Sequence, residues 1–192
     1  MLTKVELDLL WVVEVACHRC IQAAKYFDFA SGSKENVWAF TQNCYGGICI
    51  IHWCQVFGSR SEPTHYSHLF DNGMLAQWDK DNVADRLRTA LDMDEAQYRV
   101  FWQGVKDARD KYLVHNDFTN PDKPIFPDTD LLVKTCLVMR IVVRDIAESE
   151  SAEDSNFHGN IRRFVSCHTN ERFMSEINHE LKLLQETMPG RK

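Results

Sequence analysis

The sequence predicts an all-α protein, an antiparallel bundle of about four long helices with shorter helices between them. Three observations predict this fold class. The five prolines leave long uninterrupted stretches of chain, and proline is excluded from helix interiors. Apolar residues recur within those stretches at intervals of three and four, which is the helical period. No hairpin turn of the Asn-Gly kind lies between alternating strands.

The length and charge of the chain limit what it can do. The 192 residues are typical of one domain with a full core. The 28 acidic side chains outnumber the 22 basic ones, which gives a net charge of −6. This balance excludes a protein that is covered with phosphate contacts. Any contact with nucleic acid therefore requires a local basic patch.

Two long helices are predicted in the first part of the chain. Thr3 and Glu6 form a possible capping box, which opens a helix that runs to the Ser-Gly-Ser break at 31–33. Ser33 is expected to cap a second helix, which ends at Gly58, a natural left-handed stop. Two adjacent glycines in its middle, at 46–47, indicate close packing or a bend. The predicted buried face of the first helix consists of Leu9, Leu10, Val13, Cys17, Cys20 and Ile21.

Shorter helices and one further long helix are predicted in the middle of the chain. Brief helical pieces are expected at 66–75 and 82–91. Asp92 and Glu95 form a second possible capping box, which opens a long helix that reaches roughly His115. Its predicted buried stripe consists of Phe101, Val105, Ala108 and Tyr112.

The composition changes near the C-terminus. Three prolines predict a loop over 116–128, and the length and period of 128–146 favour a helix over a strand. The acidic, serine-rich residues that follow have nothing to bury and predict a linker. We therefore expect a helical bundle over 1–147, an acidic linker over 148–156 and a C-terminal helical extension over 157–192.

The cysteine count and the apolar runs predict the compartment. The chain has seven cysteines, an odd number without a regular framework, which indicates reduced thiols. Charged residues interrupt the first twenty positions and exclude a signal-peptide core. No apolar run reaches the roughly 20 residues that a membrane helix needs. We expect a cytoplasmic protein that makes no contact with membranes.

The segment 106–118, KDARDKYLVHNDF, carries the residues best suited to chemistry. Arg109 can hold a phosphate by two parallel hydrogen bonds, and His115 can transfer protons near neutral pH. Together they suffice for cleavage of RNA without a metal, because the ribose 2′-hydroxyl supplies the nucleophile. The spacing alone selects nothing, since Arg60 and His65 show a similar one. The position of Arg109 and His115 near the end of an amphipathic helix, before a proline-rich loop, singles them out.

The residues RDKYLVHND at 109–117 resemble the signature of the HEPN superfamily, in which an arginine, a polar residue and a downstream histidine mark a ribonuclease site. More narrowly, they resemble the abortive-infection AbiU-like branch, and the stretch 44–70 is similar to the second helix of that branch. The resemblance implies an all-α bundle that usually forms a homodimer, with two Arg-His pairs in one cleft. It also implies a metal-independent endoribonuclease of the toxin or phage-defence type, with neither a metal nor another cofactor.

The resemblance also implies roles for individual residues. Arg109 would stabilise the scissile phosphate, His115 would transfer the proton and Asp110 would orient one of them. The expected partners are RNA as substrate, a second copy of the chain and an antitoxin protein. The residues that we expect to contact the substrate are Lys106, Lys111 and Tyr112.

Alternatives remain open. The chain could be a non-catalytic HEPN-like module that binds a nucleotide or a partner protein, or a bundle in which Arg109 and His115 only stabilise a helix end. In a straight helix the two residues lie about 9 Å apart along the axis and about 120° apart around it. In a dimer, the opposing pair would make it easier for an arginine and a histidine to reach the same phosphate. A zinc site at Cys17 and Cys20 is disfavoured because no second Cys-x-x-Cys pair exists.

Overall fold

The fold is all-α, as predicted. The computed structural model describes residues 2–31, 36–71, 80–110, 126–149 and 170–187. These ranges contain six α-helices, one short 3-10 helix and no β-strand. The helices are α1 (Lys4–Ala30), α2 (Asn36–Phe57), the 3-10 helix (Tyr66–Phe70), α3 (Lys80–Leu91), α4 (Glu95–Asp107), α5 (Thr129–Ser149) and α6 (Asn170–Thr187).

The ends of the first two helices follow the sequence signals. The backbone N–H of Glu6 donates to Thr3 Oγ1 at 3.3 Å, and the Thr3 N–H donates to Glu6 Oε2 at 2.8 Å, so the predicted capping box is confirmed. α2 ends at Phe57, next to Gly58 as predicted, but the φ of Gly58 is not left-handed. Glycine is required there because a Cβ would lie 2.3 Å from the Cys54 carbonyl oxygen. The predicted cap at Ser33 lies outside the described residues.

The predicted capping box at Asp92 and Glu95 is wrong by two residues. Asp94 is the N-cap of α4, where its side chain accepts from the Gln97 N–H at 2.8 Å and its own N–H donates to Gln97 Oε1. Asp92 instead ends α3 with a left-handed φ of 55°. The Met93 N–H then reaches back to the Arg88 carbonyl. An aspartate tolerates this backbone conformation better than most residues, and a residue that adopts it cannot also start the next helix.

The core lies where α1 packs against α2 and α5, while α3 packs on α5 and α6 on α1. The predicted face of α1 is buried, with Leu9 only partly so. Trp53 of α2 is fully buried, and its indole N–H donates to Thr135 Oγ1 of α5 at 2.8 Å. The polar end of the largest core side chain is thereby satisfied.

Four thiols from three helices meet in this core. Cys17 and Cys20 of α1 face Cys49 of α2 and Cys136 of α5, all fully buried. The sulfurs of Cys20 and Cys49 lie 3.6 Å apart, and burial raises the pKa of both Cys17 and Cys20. The six described cysteines are free thiols, and Cys44 on α2 is the exposed one among them. The buried thiols therefore act as small apolar side chains.

An ion pair shielded from solvent connects three helices. Arg140 Nε of α5 donates to Glu14 Oε1 of α1 at 2.7 Å, and both side chains are almost completely buried. Arg140 also donates through Nη1 to Asn170 Oδ1 of α6 at 3.0 Å, and its guanidinium lies 4.7 Å from the ring centroid of Phe173. The pair thus joins α1, α5 and α6.

The glycine at position 46 marks close packing, one of the two predicted explanations. A Cβ on Gly46 would lie 2.9 Å from the Phe126 ring and 3.1 Å from the Phe27 ring. These two rings stack with centroids 4.5 Å apart. Because Gly46 of α2 has no side chain, the ring of Phe126, which precedes α5, can pack between α1 and α2.

The C-terminal elements lie close to their predicted positions. α5 runs to Ser149 and so includes the first two residues of the predicted linker, and the rest of the linker lies outside the described residues. α6 occupies 170–187, within the C-terminal helical extension predicted over 157–192. The division into a bundle and an extension stays a prediction. In the ranges that the structure describes, no helix combines the length and apolar character needed to cross a membrane.

Candidate functional site

The described candidate residues lie at the C-terminal end of α4, beside the end of α2. Val105 and Ala108 are buried, as the predicted stripe requires, and they hold this end of α4 against the core. The Trp102 indole N–H donates to the Phe57 carbonyl at 2.6 Å and thereby ties α4 to the last residue of α2. Lys106 and Arg109 follow at the spacing that places two side chains on one helix face.

The helix widens where the candidate arginine lies. The regular part of α4 ends at Asp107, and a π-type turn covers residues 108–110. The long helix predicted to reach roughly His115 therefore changes geometry at Arg109. Single π-type turns inside or at the end of helices occur frequently at functional sites.

Arg109 is held by two carboxylates. Its Nε donates to Asp110 Oδ1 at 2.7 Å, and its Nη1 lies 3.7 Å from Glu62 Oε1. The hydrogen bond to Asp110 raises the pKa of Arg109 further above its already high ordinary value. The side chain is 21% exposed. The guanidinium is therefore a permanent, oriented cation that solvent can still reach.

Lys106 supplies a second cation at the same end of α4. Its ammonium lies 4.2 Å from the centroid of the Trp102 ring, within the range of a cation–π interaction. With Arg109, Asp110 and Glu62 it forms a cluster of two positive and two negative charges. We call these four residues the Arg109 cluster. Its formal charge is balanced, so an anion that binds there must compete with a carboxylate.

A buried thiol lies near this cluster. Cys54 of α2 is 1% exposed, and burial raises its pKa to about 12 despite the opposing charges of Arg109 and Lys106. The thiolate is the nucleophilic form of cysteine. Cys54 thus stays neutral at physiological pH and serves as packing, and chemistry at this site depends on other groups.

The loop from α2 to the 3-10 helix supplies the residue that the sequence did not reveal. Glu62 belongs to this loop, which is closed by two turns and by the Thr64 hydroxyl, whose Oγ1 donates to the Gln55 carbonyl at 2.8 Å. Its partner Arg109 is distant in sequence. No local pattern identifies Glu62, because the contact exists only once α4 packs on the end of α2.

A second polar group closes the far end of this loop. Arg60 Nη2 donates to Asp71 Oδ1 at 2.7 Å, and His68 lies between the Asp71 carboxylate and the Arg60 carbonyl, with its nitrogens 2.9 and 2.8 Å from them. The hydrogen bond from His68, assisted by Arg60, lowers the pKa of Asp71. We call these three residues the loop clasp.

His65 caps the 3-10 helix with its ring. The Ser67 N–H donates to His65 Nδ1 at 3.2 Å, and the Ser67 hydroxyl lies 2.9 Å from the same nitrogen. Burial lowers the pKa of His65 to about 4, with a contribution from His68. His65 is therefore neutral at physiological pH and is occupied by a structural role.

A groove lies at the opposite end of α4, away from the Arg109 cluster. It is an open groove of about 690 Å³ at the junction of α3 and α4. Its one basic residue, Arg88, already pairs with Asp85, and the remaining charges in it are acidic. A polyanion is repelled by this surface. The lining residues are Asp85, Arg88, Thr89, Asp92, Met93, Asp94 and Gln97.

The other predicted site residues lie outside the described residues. These are His115, Lys111 and Tyr112. The structure thus brings Lys106, Arg109 and Asp110 together and adds Glu62. Among the described side chains, no group of three or more His, Cys, Asp or Glu residues is arranged to hold a metal ion.

Comparison of the chain with protein-family models, with curated proteins and with solved structures gives no match. A function for the chain therefore has to be inferred from the residues themselves, from the geometry of the Arg109 cluster and from the resemblance of the segment 109–117 to the HEPN signature.

Proposed function

We propose that the chain is a metal-independent endoribonuclease of the HEPN type, in which Arg109 and His115 act on a phosphodiester of RNA. The observation that carries the proposal is the state of Arg109: an oriented cation, 21% exposed, at a π-type turn six residues before His115. A guanidinium that is held on one side and reachable on the other is suited to bind phosphate oxygens.

In the proposed reaction, the ribose 2′-hydroxyl attacks the adjacent phosphorus. His115 accepts the proton of the hydroxyl, a new O2′–P bond forms, the P–O5′ bond breaks and the leaving O5′ takes up a proton from water. Arg109 stabilises the charge that develops on the non-bridging oxygens. The products are a 2′,3′-cyclic phosphate and a 5′-hydroxyl. Asp110 acts as a positioning residue, because it holds Nε and leaves the Nη groups of Arg109 as the donors for a phosphate.

The proposal includes a homodimer, in which a second copy supplies the opposing Arg-His pair. It also includes an antitoxin protein that restrains cleavage in the cell. Both are implied by the resemblance of the segment 109–117 to the HEPN signature. They can be tested by sedimentation of the purified chain, and by growth of a host that expresses wild type or His115→Ala.

The decisive experiment incubates purified protein with 5′-labelled RNA in EDTA. We expect wild type to cut and Arg109→Ala and His115→Ala each to lose at least about a hundredfold in rate, since phosphate stabilisation and proton transfer each contribute that much or more. Arg99→Ala is the matched control on the same helix, because Arg99 is 76% exposed and pairs with Glu95 at 3.0 Å. If wild type leaves RNA intact, or if both site variants cut at the wild-type rate, the enzyme proposal is wrong.

The second candidate is a non-catalytic module that binds a nucleotide or a protein. The charges of the Arg109 cluster favour it, because both carboxylates contact Arg109 and reduce the positive charge that is left to stabilise a transition state. Binding of RNA by wild type without cleavage, lost in Arg109→Ala, is the outcome that this candidate predicts.

A further inference from the structure

We propose that Glu62 is an internal competitor for the phosphate-binding edge of Arg109, so that RNA must displace its carboxylate to reach the guanidinium. The inference rests on the proposed function of Arg109 as the group that holds the scissile phosphate. It assigns a regulatory role to a loop residue for which the sequence offers no motif.

The two carboxylates take different edges of the guanidinium. A guanidinium presents five N–H groups in a fixed planar fork. Asp110 accepts from Nε at 2.7 Å, so the donors left for a phosphate are those on the Nη nitrogens. Glu62 Oε1 lies 3.7 Å from Nη1 and faces these same donors. Asp110 therefore orients Arg109, whereas Glu62 occupies the place of the substrate.

The backbone of Glu62 is fixed while its side chain is free to turn. Its N–H donates to the Ser59 carbonyl at 2.9 Å, and its carbonyl accepts from the His65 N–H at 3.0 Å. The loop clasp of Arg60, His68 and Asp71 closes the far end of the same loop. The Glu62 side chain is 42% exposed. Its carboxylate can thus leave Arg109 by rotation of the side chain, without movement of the loop.

The contact is weak enough to be displaced. At 3.7 Å it is an ion pair without a hydrogen bond, and exposed ion pairs of this kind alter an equilibrium by up to about fivefold. A polyanion that also contacts Lys106 overcomes this competition readily. An isolated phosphate ion, which has one contact to gain, does not. Glu62 therefore favours RNA over free phosphate at the same cation.

The first test measures binding without cleavage. The probe is a fluorescein-labelled single-stranded oligodeoxynucleotide, which lacks the 2′-hydroxyl and cannot be cut by the proposed reaction. We expect Glu62→Gln to bind it about two- to fivefold more tightly than wild type. Glu95→Gln is the matched control, because it removes the same charge from the opposite end of α4, where Glu95 pairs with Arg99. An equal change in both variants, or no change in either, overturns the inference.

The gain must also depend on Arg109. In an Arg109→Ala background, we expect Glu62→Gln to change the affinity for the oligodeoxynucleotide by less than about 1.5-fold, because the guanidinium for which the two anions compete is absent. If the full gain persists without the guanidinium, Glu62 acts only through the general charge of the surface and the inference is wrong.

The second test needs no nucleic acid. Phenylglyoxal reacts with arginines whose guanidinium is accessible, and mass spectrometry of the peptide that contains Arg109 follows the reaction. We expect Glu62→Gln to raise the rate of modification of Arg109 at least twofold, with no such rise in Glu95→Gln. An unchanged rate overturns the inference. If wild type binds no oligodeoxynucleotide, this rate still decides whether Glu62 shields Arg109, and the cleavage of RNA in EDTA decides the proposed function separately.

Discussion

His65 shows how one side chain without a proposed catalytic role can make a protein sensitive to acid. Its Nδ1 accepts from the Ser67 N–H at the start of the 3-10 helix. Protonation would place a hydrogen on that nitrogen and remove the acceptor. Burial accordingly lowers the pKa of His65 to about 4, while the unfolded chain keeps the ordinary value near 6.5.

The sign of the pH dependence follows from these two values. Above about pH 6.5 both states are neutral at His65 and the residue imposes no penalty. As the pH falls from about 6.5 to about 4, the unfolded state binds the proton first, and His65 lowers the free energy of unfolding by up to about 1.4 kcal/mol per pH unit. Urea unfolding of wild type between pH 7 and 4 measures this loss.

His65→Asn is the matched variant, since asparagine caps helices well and does not titrate. We expect it to match wild type in stability near pH 7 and to lose less stability on acidification. Parallel stability curves of the two proteins across this range would show that His65 does not carry the effect.

At the scale of one element, two helical glycines with opposite environments test the packing of α2 and α4. Gly104 of α4 has nothing within 4 Å of an added Cβ, whereas a Cβ on Gly46 of α2 would meet the Phe126 ring at 2.9 Å. We expect Gly104→Ala to stabilise the protein by about 0.5–1 kcal/mol through helix propensity. We expect Gly46→Ala to destabilise it by about 1–3 kcal/mol through overpacking. Chemical denaturation compares the two with wild type.

Each glycine variant serves as the control for the other, since both make the same chemical change in a helix interior. If Gly46→Ala gains as much stability as Gly104→Ala, the stacked rings of Phe27 and Phe126 move aside without loss of stability. The inference that Gly46 marks close packing is then wrong.

The sequence predicted those elements whose ends depend on local chemistry. The capping box at Thr3 and the position of the helix end at Gly58 are confirmed, because each involves hydrogen bonds within a few residues, whereas the left-handed conformation predicted for Gly58 is wrong. The start of α4 was misplaced because the left-handed φ of Asp92 has no unique sequence signature. The contact between Glu62 and Arg109 was missed for a different reason: it depends on how α4 packs on α2.

At the scale of the whole molecule, one buried ion pair decides how three helices are held together. Glu14 and Arg140 are nearly inaccessible to solvent, and Arg140 extends the pair to Asn170 at the start of α6. Neither its burial nor its partner could be predicted, since an arginine in a helix pattern is usually solvated. The pair therefore couples the C-terminal helix to the core.

Removal of one partner leaves the other charge buried and alone. We expect Arg140→Ala to destabilise the protein by about 3–5 kcal/mol in urea unfolding. Arg144→Ala on the same helix is the control, because Arg144 is 32% exposed and its pair with Asp145 is long at 3.7 Å, so a loss of about 1 kcal/mol or less is expected. Comparable losses in the two variants would contradict the structural importance of the buried pair.

The distribution of cysteines has a practical consequence for the proposed dimer. Of the six described thiols, Cys44 is the accessible one, whereas the others are enclosed. With Cys167 replaced by serine, a nitroxide reagent would therefore attach to the folded chain at one position on α2. In a symmetric pair of chains the two nitroxides are coupled, and dipolar spectroscopy converts that coupling into a separation in ångströms. Cys44 is thus a native labelling position from which the distance between the two chains can be measured, on the helix whose end lies beside the candidate site.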